Sequence, residues 1–318
     1  MYRENRKQTT VFCPVFCLVG PTAVGKTALA LDLANHYGAE IISVDSVQVY
    51  RHLDIGTAKA SPEERRRIPH HLIDIVEPDD NYSLARFITA AAIALKDIQQ
   101  RGRTALFTGG SGLYLRGLSA GIFELTDADP QLRGQLRRRL QQRLQNEGHD
   151  ALHAELTRID PESARRIHPH DLQRLLRALE IFYLSGTSWS EHLRRSRQTA
   201  LLTTETPIIG LVVERDILYE RINHRVENML AQGLVDEVRG LLEQGYDPEL
   251  SSMQSIGYRH MVAYLSGRYS LKEAKDLMAR DTRRYAKRQL TWFRRMKHIH
   301  WYLPEETNKI KLLLEQKL

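Results

Sequence analysis

Apolar residues fall along this chain in two rhythms. Val15-Phe16-Cys17-Leu18-Val19 is a continuous apolar run followed by a glycine-rich turn and a helical pattern from Ala28 to Ala34. A short unbroken run bounded by a turn reads as a strand buried on both faces. Ile41-Ile42-Ser43-Val44-Asp45 reads as a second strand, ending in a carboxylate, and His71 to Val76 is a short extended candidate before Glu77-Pro78. Ser83 is placed to cap a helix that runs to Gln100, with Gly102 just past its end. Thr104 to Thr108 is another strand, leading into Gly109-Gly110-Ser111-Gly112. This alternation predicts a doubly wound, parallel α/β sheet. The ligand crevice of such a sheet lies at the carboxyl ends of its strands.

From Asp129 the rhythm becomes purely helical. Asp129-Pro130 reads as an N-cap with proline at the first helical position. Leu132, Leu136, Leu140 and Leu144 then form one stripe, as far as Gly148. Asp160-Pro161 starts a second helix, and Asp171 caps a third, Leu172 to Leu184, closed by Gly186. Strand character returns at Pro207–Val213. Helices follow near Asp216–Gln232, Leu234–Gln244, Tyr258–Leu265 and Leu271–Met296, then a short strand Ile299–Tyr302 and a polar tail. The pattern predicts an α/β core from residues 11–122 and 203–304, interrupted by a helical insertion domain over 123–202.

The turn after the first strand gives the core its chemistry. Gly20-Pro21-Thr22-Ala23-Val24-Gly25-Lys26-Thr27 fits the phosphate-loop pattern G-x-x-x-x-G-K-[ST]. A strand feeding a glycine turn and a helix N-terminus aims several backbone N–H groups at one point. Lys26 adds a full positive charge there, and the Thr27 hydroxyl can ligate Mg²⁺. The fold class is therefore a P-loop NTPase-like α/β sheet with a helical insertion, and the chain binds a phosphate or diphosphate.

Charge adds a partner. The 318 residues carry a formal net charge of +7 at neutral pH, which favours a polyanion. The insertion is strongly basic: Arg133, Arg137, Arg138, Arg139 and Arg143 surround the leucine stripe. A solvated face is the default reading of such a run, yet arginines without interspersed acids repel one another, and a phosphate backbone would relieve that. Later in the chain Arg221 and Arg225 precede a basic helix. In it Arg284, Arg288 and Arg295 share a face, interleaved with Tyr285, Trp292 and Phe293 that read as core. Cys13 and Cys17, four strand residues and about 13 Å apart, are too distant for a disulfide and read as core. The basic Met1–Lys7 segment before Val11–Val19 mimics a signal peptide, but cleavage would destroy the phosphate loop. An intracellular, cytoplasmic chain is expected, with no run near the 18 or so apolar residues of a membrane span. His70–His71 and His168/His170 lack metal-ligand spacing.

Two residues at strand ends are open to catalysis. Asp45 is placed to project into the crevice beside the loop, as a general base, as a Mg²⁺ ligand, or as a plain N-cap. Gly109-Gly110-Ser111-Gly112 leaves the backbone bare for a flat substrate with Ser111 beside it, or forms an ordinary strand-to-helix turn.

Taken together these strings resemble one family, the tRNA dimethylallyltransferases (isopentenyltransferases), in the shorter bacterial form without a C-terminal zinc motif. The pattern comprises Gly20–Thr27, Ser43–Tyr50, Asp54–Lys59, Pro69–Asp74, Gly109–Tyr114, Asp129–Arg133, Asp171–Glu180, Gly257–Arg259 and Lys287–Arg294, in order along nearly the whole chain. Val24 stands where the family usually has serine, and Ser111 where threonine is common. The resemblance implies transfer of a dimethylallyl group from dimethylallyl diphosphate to the exocyclic amine of an adenosine beside the anticodon of tRNA, with Mg²⁺ as cofactor and the chain acting as a monomer. It implies a donor site at Gly20, Pro21, Thr22, Ala23, Val24, Gly25, Lys26, Thr27 and Arg225. Asp45, Ser111, Lys26 and Arg221 would be catalytic, and Thr27 (with Asp45 as an option) would hold the metal. It implies tRNA contacts at Asp45, Ser46, Val47, Gln48, Ser111, Arg133, Gln173, Arg174, Leu175, Leu176, Arg177, Gln254, Ser255, Ile256, Gly257, Tyr258 and Arg259. A P-loop small-molecule kinase and an RNA-binding ATPase are the rival classes; neither explains the order of the later motifs.

Overall fold

A computed structural model describes residues 13–121, 129–196 and 199–318. The chain divides into two compact units, Met1–Leu115 with Leu202–Leu318, and Arg116–Leu201.

In the first unit a six-stranded, all-parallel sheet runs in the order β3-β2-β4-β1-β5-β6. The strands are β1 (Val15–Val19), β2 (Ala39–Val44), β3 (His70–His71), β4 (Thr104–Gly109), β5 (Ile208–Leu211) and β6 (Ile299–Tyr302). Successive strand residues point to opposite faces. Phe16 and Cys17, Ile41 and Ile42, Leu106 and Phe107 are all buried, so both faces are covered and the runs contain few polar positions. One face packs Phe16, Leu18, Ile41 and Leu106 against α1 (Lys26–Tyr37) and α9 (Arg215–Ala231). Both cysteines are buried and free; burial pushes the Cys17 thiol far up, so it stays protonated.

Register decides what the sheet presents. Val19 lies opposite Gly109, Gly109 opposite Val44, and Val19 also opposite Gly210. Four strands thus end in line, and the segments after them start side by side. The Ser111 amide donates to Val44 O at 3.2 Å, which sets Ser111 next to Asp45.

A second core holds Val49, Tyr50, Leu53, Val226 and Met229 against α10 (Leu234–Glu243), α11 (Tyr258–Leu265) and α12 (Leu271–Arg294). The other unit has a core of its own. There α5 (Pro130–Ile159), α6 (Pro161–Arg166) and α7 (Leu172–Ser185) bury Leu140, Leu152, Leu156, Ile167, Leu175 and Leu179.

Four sequence expectations need correction. The extended candidate at 71–76 is only the two-residue β3; beyond it Leu72 and Asp74 take positive φ, and Val76 makes an isolated bridge to Tyr50. The leucine stripe begins at Leu136, because Leu132 is 53% exposed in the first turn of α5. The polar tail is a helix, Thr307–Lys317, that buries Ile310 and Leu314 in the sheet core and accepts a 3.0 Å bond from Tyr37 Oη at Lys311 O. Its lysines snorkel around a narrow apolar stripe, which a reading by overall polarity misses. The sequence reading also stops the first insert helix at Gly148, whereas α5 continues to Ile159 across a local break at that glycine.

Candidate active site

The phosphate loop leaves β1 and enters α1 at Lys26, with Gly25 at φ 108° and no side chain capping the helix. That N-terminus is an open anion seat. Lys26 Nζ folds back onto Gly20 O (3.0 Å) and Pro21 O (2.7 Å). Burial disfavours its charge, Arg225 disfavours it further, and Asp45 offsets part of this, so its pKa is lowered to about 7. Thr27 is exposed in the first turn of α1. Its hydroxyl, a hard neutral oxygen beside the anion seat, suits Mg²⁺, an ion that keeps few protein ligands and shares phosphate oxygens.

Helix α9 brings both expected arginines to this loop. Arg221 Nη1 donates to Val24 O at 3.2 Å, and Arg225 Nη1 to Thr22 Oγ1 at 3.3 Å. Burial lowers the Arg225 pKa, with Asp45 opposing that. A guanidinium cannot shed its proton in practice, so Arg225 is a held charge waiting for an anion.

Asp45 follows the last residue of β2. Its Oδ1 accepts from the amides of Val47 (2.8 Å) and Gln48 (3.2 Å), which fixes the carboxylate as a cap. Among the described residues these bonds use Oδ1 alone, so capping and catalysis do not compete for the same oxygen. Burial and then Asp45 push the Tyr285 phenol up to about 12.

The glycines around Ser111 do not clear space for a substrate. A Cβ on Gly109 would lie 2.1 Å from Val44 O, one on Gly110 2.2 Å from Gln289 Nε2, and one on Gly112 2.9 Å from the Trp292 ring. The space is already filled by the protein. Ser111 itself is 8% exposed; Tyr285 lies within electrostatic reach, but among the described residues no well-formed hydrogen bond meets Ser111 Oγ.

Thr22, Asp45, Arg225, Tyr285 and Arg288 open on one cavity of about 320 Å³. Its apolar wall comes from Ile222, Val226 and Met229 of α9 and Met278 of α12; Ser46, Val47, Gly56, Thr57, Gln254, Ser255, Ile256, Arg259 and Thr282 complete it. Not every residue expected at this surface reaches it. Gln48 accepts from Ser43 Oγ (2.9 Å) and donates to Thr57 O (3.2 Å), so its side chain is spent within the fold. Tyr258 is fully buried and donates to Glu237 Oε1 at 2.5 Å. Arg259 is paired with Asp281 at 2.6 Å; burial alone would raise that carboxyl, but Arg259, Arg280 and His260 hold it down at about 2.

In the insert unit, Arg133 (2.6 Å), Arg137 (3.2 Å) and Arg177 (3.1 Å) converge on buried Glu180, and Arg143 binds Glu147 and Glu155. The arginine run is therefore partly neutralised by acids from other turns. Leu175 lies in the unit's core with Leu176 packed beside it, Arg174 pairs with Asp171 at 2.6 Å, and Gln173 is exposed.

Gln289 stands in the sequence only as a member of the Lys287–Arg294 string, with no role of its own, and nothing there points to Glu237 or the methionine wall. Each is one unremarkable residue on an amphipathic helix, and its role comes from partners far away in the chain.

Comparison with known proteins gives the chain's family. A family model described as IPP transferase matches residues 48–296, and one described as isopentenyl transferase matches 13–74. The chain is 49% identical to a tRNA dimethylallyltransferase of Desulfotalea psychrophila over 93% of each chain. It is 43% identical to one of Geobacillus thermodenitrificans, over 95% of this chain and 94% of the other. Among solved structures, the tRNA isopentenylpyrophosphate transferase of Bacillus halodurans superposes with a TM-score of 0.68 at 41% identity, covering 96% of this chain and 97% of that one. A eukaryotic dimethylallyltransferase captured acting on tRNA reaches 0.77 at 30% identity, covering 91% and 73%. The fold is P-loop NTPase-like, and the chain belongs to the IPP transferase family, the tRNA dimethylallyltransferases.

Proposed function

We propose that the cavity transfers a dimethylallyl group from dimethylallyl diphosphate to the exocyclic N6 amine of the adenosine 3′-adjacent to the anticodon of tRNA. The observation that carries this reading is an apolar-walled cavity on which Thr22 of the phosphate loop, Arg225 and the Asp45 carboxylate open, with Lys26 and the uncapped helix N-terminus in the same loop and within electrostatic reach of Arg225 and Asp45. A phosphate seat serves a leaving diphosphate as well as a nucleotide; the carboxylate opposite it serves an amine that must lose a proton.

In the proposed step the C–O bond between the allylic carbon and the diphosphate breaks, and the adenine N6–C bond forms. Negative charge grows on the departing oxygens. The loop amides, Lys26, Arg221 and Arg225 oppose it from fixed positions, which lowers the barrier without reorganisation. Adenine's amine is a weak nucleophile because its lone pair is delocalised, and Asp45 accepts its proton as the N–C bond forms. Ser111, beside Asp45, holds the amine in line. Thr27 would hold Mg²⁺ together with the diphosphate; such an ion supplies further charge neutralisation on the leaving oxygens. The acceptor lies in a loop of the RNA, so turning it out costs less than opening a duplex pair. Ser46, Val47, Gln254–Ile256 and Arg259 form the acceptor wall in this reading, and Gln173, Arg174 and the exposed arginines of the insert contact the anticodon stem.

The test incubates the chain with dimethylallyl diphosphate, Mg²⁺ and unmodified tRNA. Mass spectrometry of the digested RNA should find one prenylated adenosine, and none should form with ATP in place of the prenyl donor. Absence of that adenosine defeats the proposal.

A further inference from the structure

Between the seat for the diphosphate and Ser111 stands one side chain with no part in the chemistry above. Gln289, on α12, is 6% exposed. Its Oε1 accepts from the Thr22 amide at 2.9 Å, and its Nε2 donates to Gly110 O at 2.9 Å. Thr22 is in the phosphate loop and Gly110 directly precedes Ser111, so one planar carboxamide spans the two halves of the site. Three further contacts narrow the freedom of this arrangement. A Cβ on Gly110 would lie 3.5 Å from Gly20 O as well as 2.2 Å from Gln289 Nε2, so loop, turn and carboxamide are already in contact. One turn before Gln289, Tyr285 reaches toward Ser111. Three residues after it, the Trp292 ring fills the place of a Gly112 side chain. Residues 285, 289 and 292 share one face of a helix. Ser111 is thus held on one flank through Gly110 and on the other through Gly112 by the same face of α12.

We propose that Gln289 is a positioning residue: its carboxamide fixes the distance between the phosphate loop and the Ser111 turn, and so sets the approach of the acceptor amine to the carbon that diphosphate leaves. This rests on the prenyl-transfer reading for its consequence, though not for the clamp itself. The amide is suited to the task because one end accepts and the other donates; an ionised carboxylate or an ammonium at this place would leave one partner unmet. In-line displacement is sensitive to small errors of approach, and a shift near 1 Å costs about 100-fold in rate.

Gln289→Leu keeps the bulk and removes both bonds. With the folded fraction measured by melting, kcat should fall about 100-fold. KM for tRNA should stay within about threefold and KM for dimethylallyl diphosphate should change far less than kcat, since the loop's cations and other amides keep their places. Amide exchange should quicken in both the Gly20–Lys26 and the Gly110–Ser111 segments. A kcat per folded molecule within about threefold of the parent overturns the proposal. Should that variant fail to fold, Gln289→Glu decides. It still accepts from Thr22 but sets oxygen against Gly110 O, so its kcat should be low at neutral pH and recover as the carboxyl protonates; a defect flat with pH, or none, overturns the proposal. A parent chain that prenylates no tRNA would defeat the functional reading instead, while the exchange measurement would still report on the clamp.

Discussion

Two glycine-containing loops of this chain, Gly20–Thr27 and Asp54–Lys59, form the same kind of device and end in opposite conditions. In the second, the amides of Asp54 (3.1 Å), Ile55 (2.8 Å) and Gly56 (3.3 Å) converge on the carboxylate of Glu237, which also takes the Tyr258 hydroxyl. Lys59, its side chain 2% exposed, is shared among Tyr50 O, Asp54 and Asp74. This loop is an anion nest that the protein has filled from within. In the first, among the described residues, no side chain caps the helix N-terminus, and the lysine's bonds go to carbonyls of its own loop. A motif with its amides and cation spent internally is architecture; one with them aimed at a cavity is a site.

The largest effect expected from breaking that contrast is on rate. Asp45→Asn retains an oxygen to accept from Val47 and Gln48, so the melting temperature should not move, while single-turnover prenylation should fall by about 10³-fold. Unchanged turnover would place the base elsewhere. The filled loop should respond in stability instead. Glu237→Ala strands three amides and a buried phenol, which should cost about 3 kcal/mol. That is roughly 6 to 12 °C in Tm, with the folded fraction still active.

A smaller effect comes from the open loop's lysine. Its folded pKa, about 7, lies below that of the unfolded chain. Above about pH 7 the unfolded state therefore binds the extra proton, and this group's contribution to stability grows as pH rises from there to the ordinary lysine range. A diphosphate reverses the preference and favours the ammonium. Its binding should take up close to one proton near pH 8.5, and affinity should fall as pH climbs above about 7. Calorimetry in two buffers of different ionisation heat reads the proton count; Lys26→Met should abolish the uptake. The smallest effect is in the insert. Arg138 and Arg139 are exposed and, among the described residues, carry no ion pair, unlike Arg133 and Arg137 on Glu180. Replacing either by glutamine should weaken tRNA binding modestly and lower the slope of affinity against salt by about one. Arg133→Gln should instead loosen the insert's own helices.

How much of this was legible in the sequence follows from the same contrast. The phosphate loop is built from backbone, glycine and one lysine, all adjacent, so its string carries its geometry. Asp45 was legible because a buried strand must end there, and register then aligns it with the loop. The Asp54–Lys59 string looked no less distinctive, but its meaning lies in Glu237, about 180 residues on, which nothing local announces. Gln289 is further still from Thr22, and the glycines near Ser111 were open to a substrate reading only because Val44, Gln289 and Trp292 could not be seen beside them. Helix Thr307–Lys317 was lost to its lysines.

The position of β1 within the sheet has a consequence for how the chain comes off the ribosome. It sits between β4 and β5, and β5 begins roughly 190 residues after β1 ends. At ordinary rates of synthesis that is about 10 to 40 s during which the central strand carries a bare, apolar edge. The insert buries its leucines through contacts among α5, α6, α7 and Trp189, all within the insert, and so is free to close first. The nascent core, waiting for its second half, is then the stage most exposed to mispairing and to capture by chaperones.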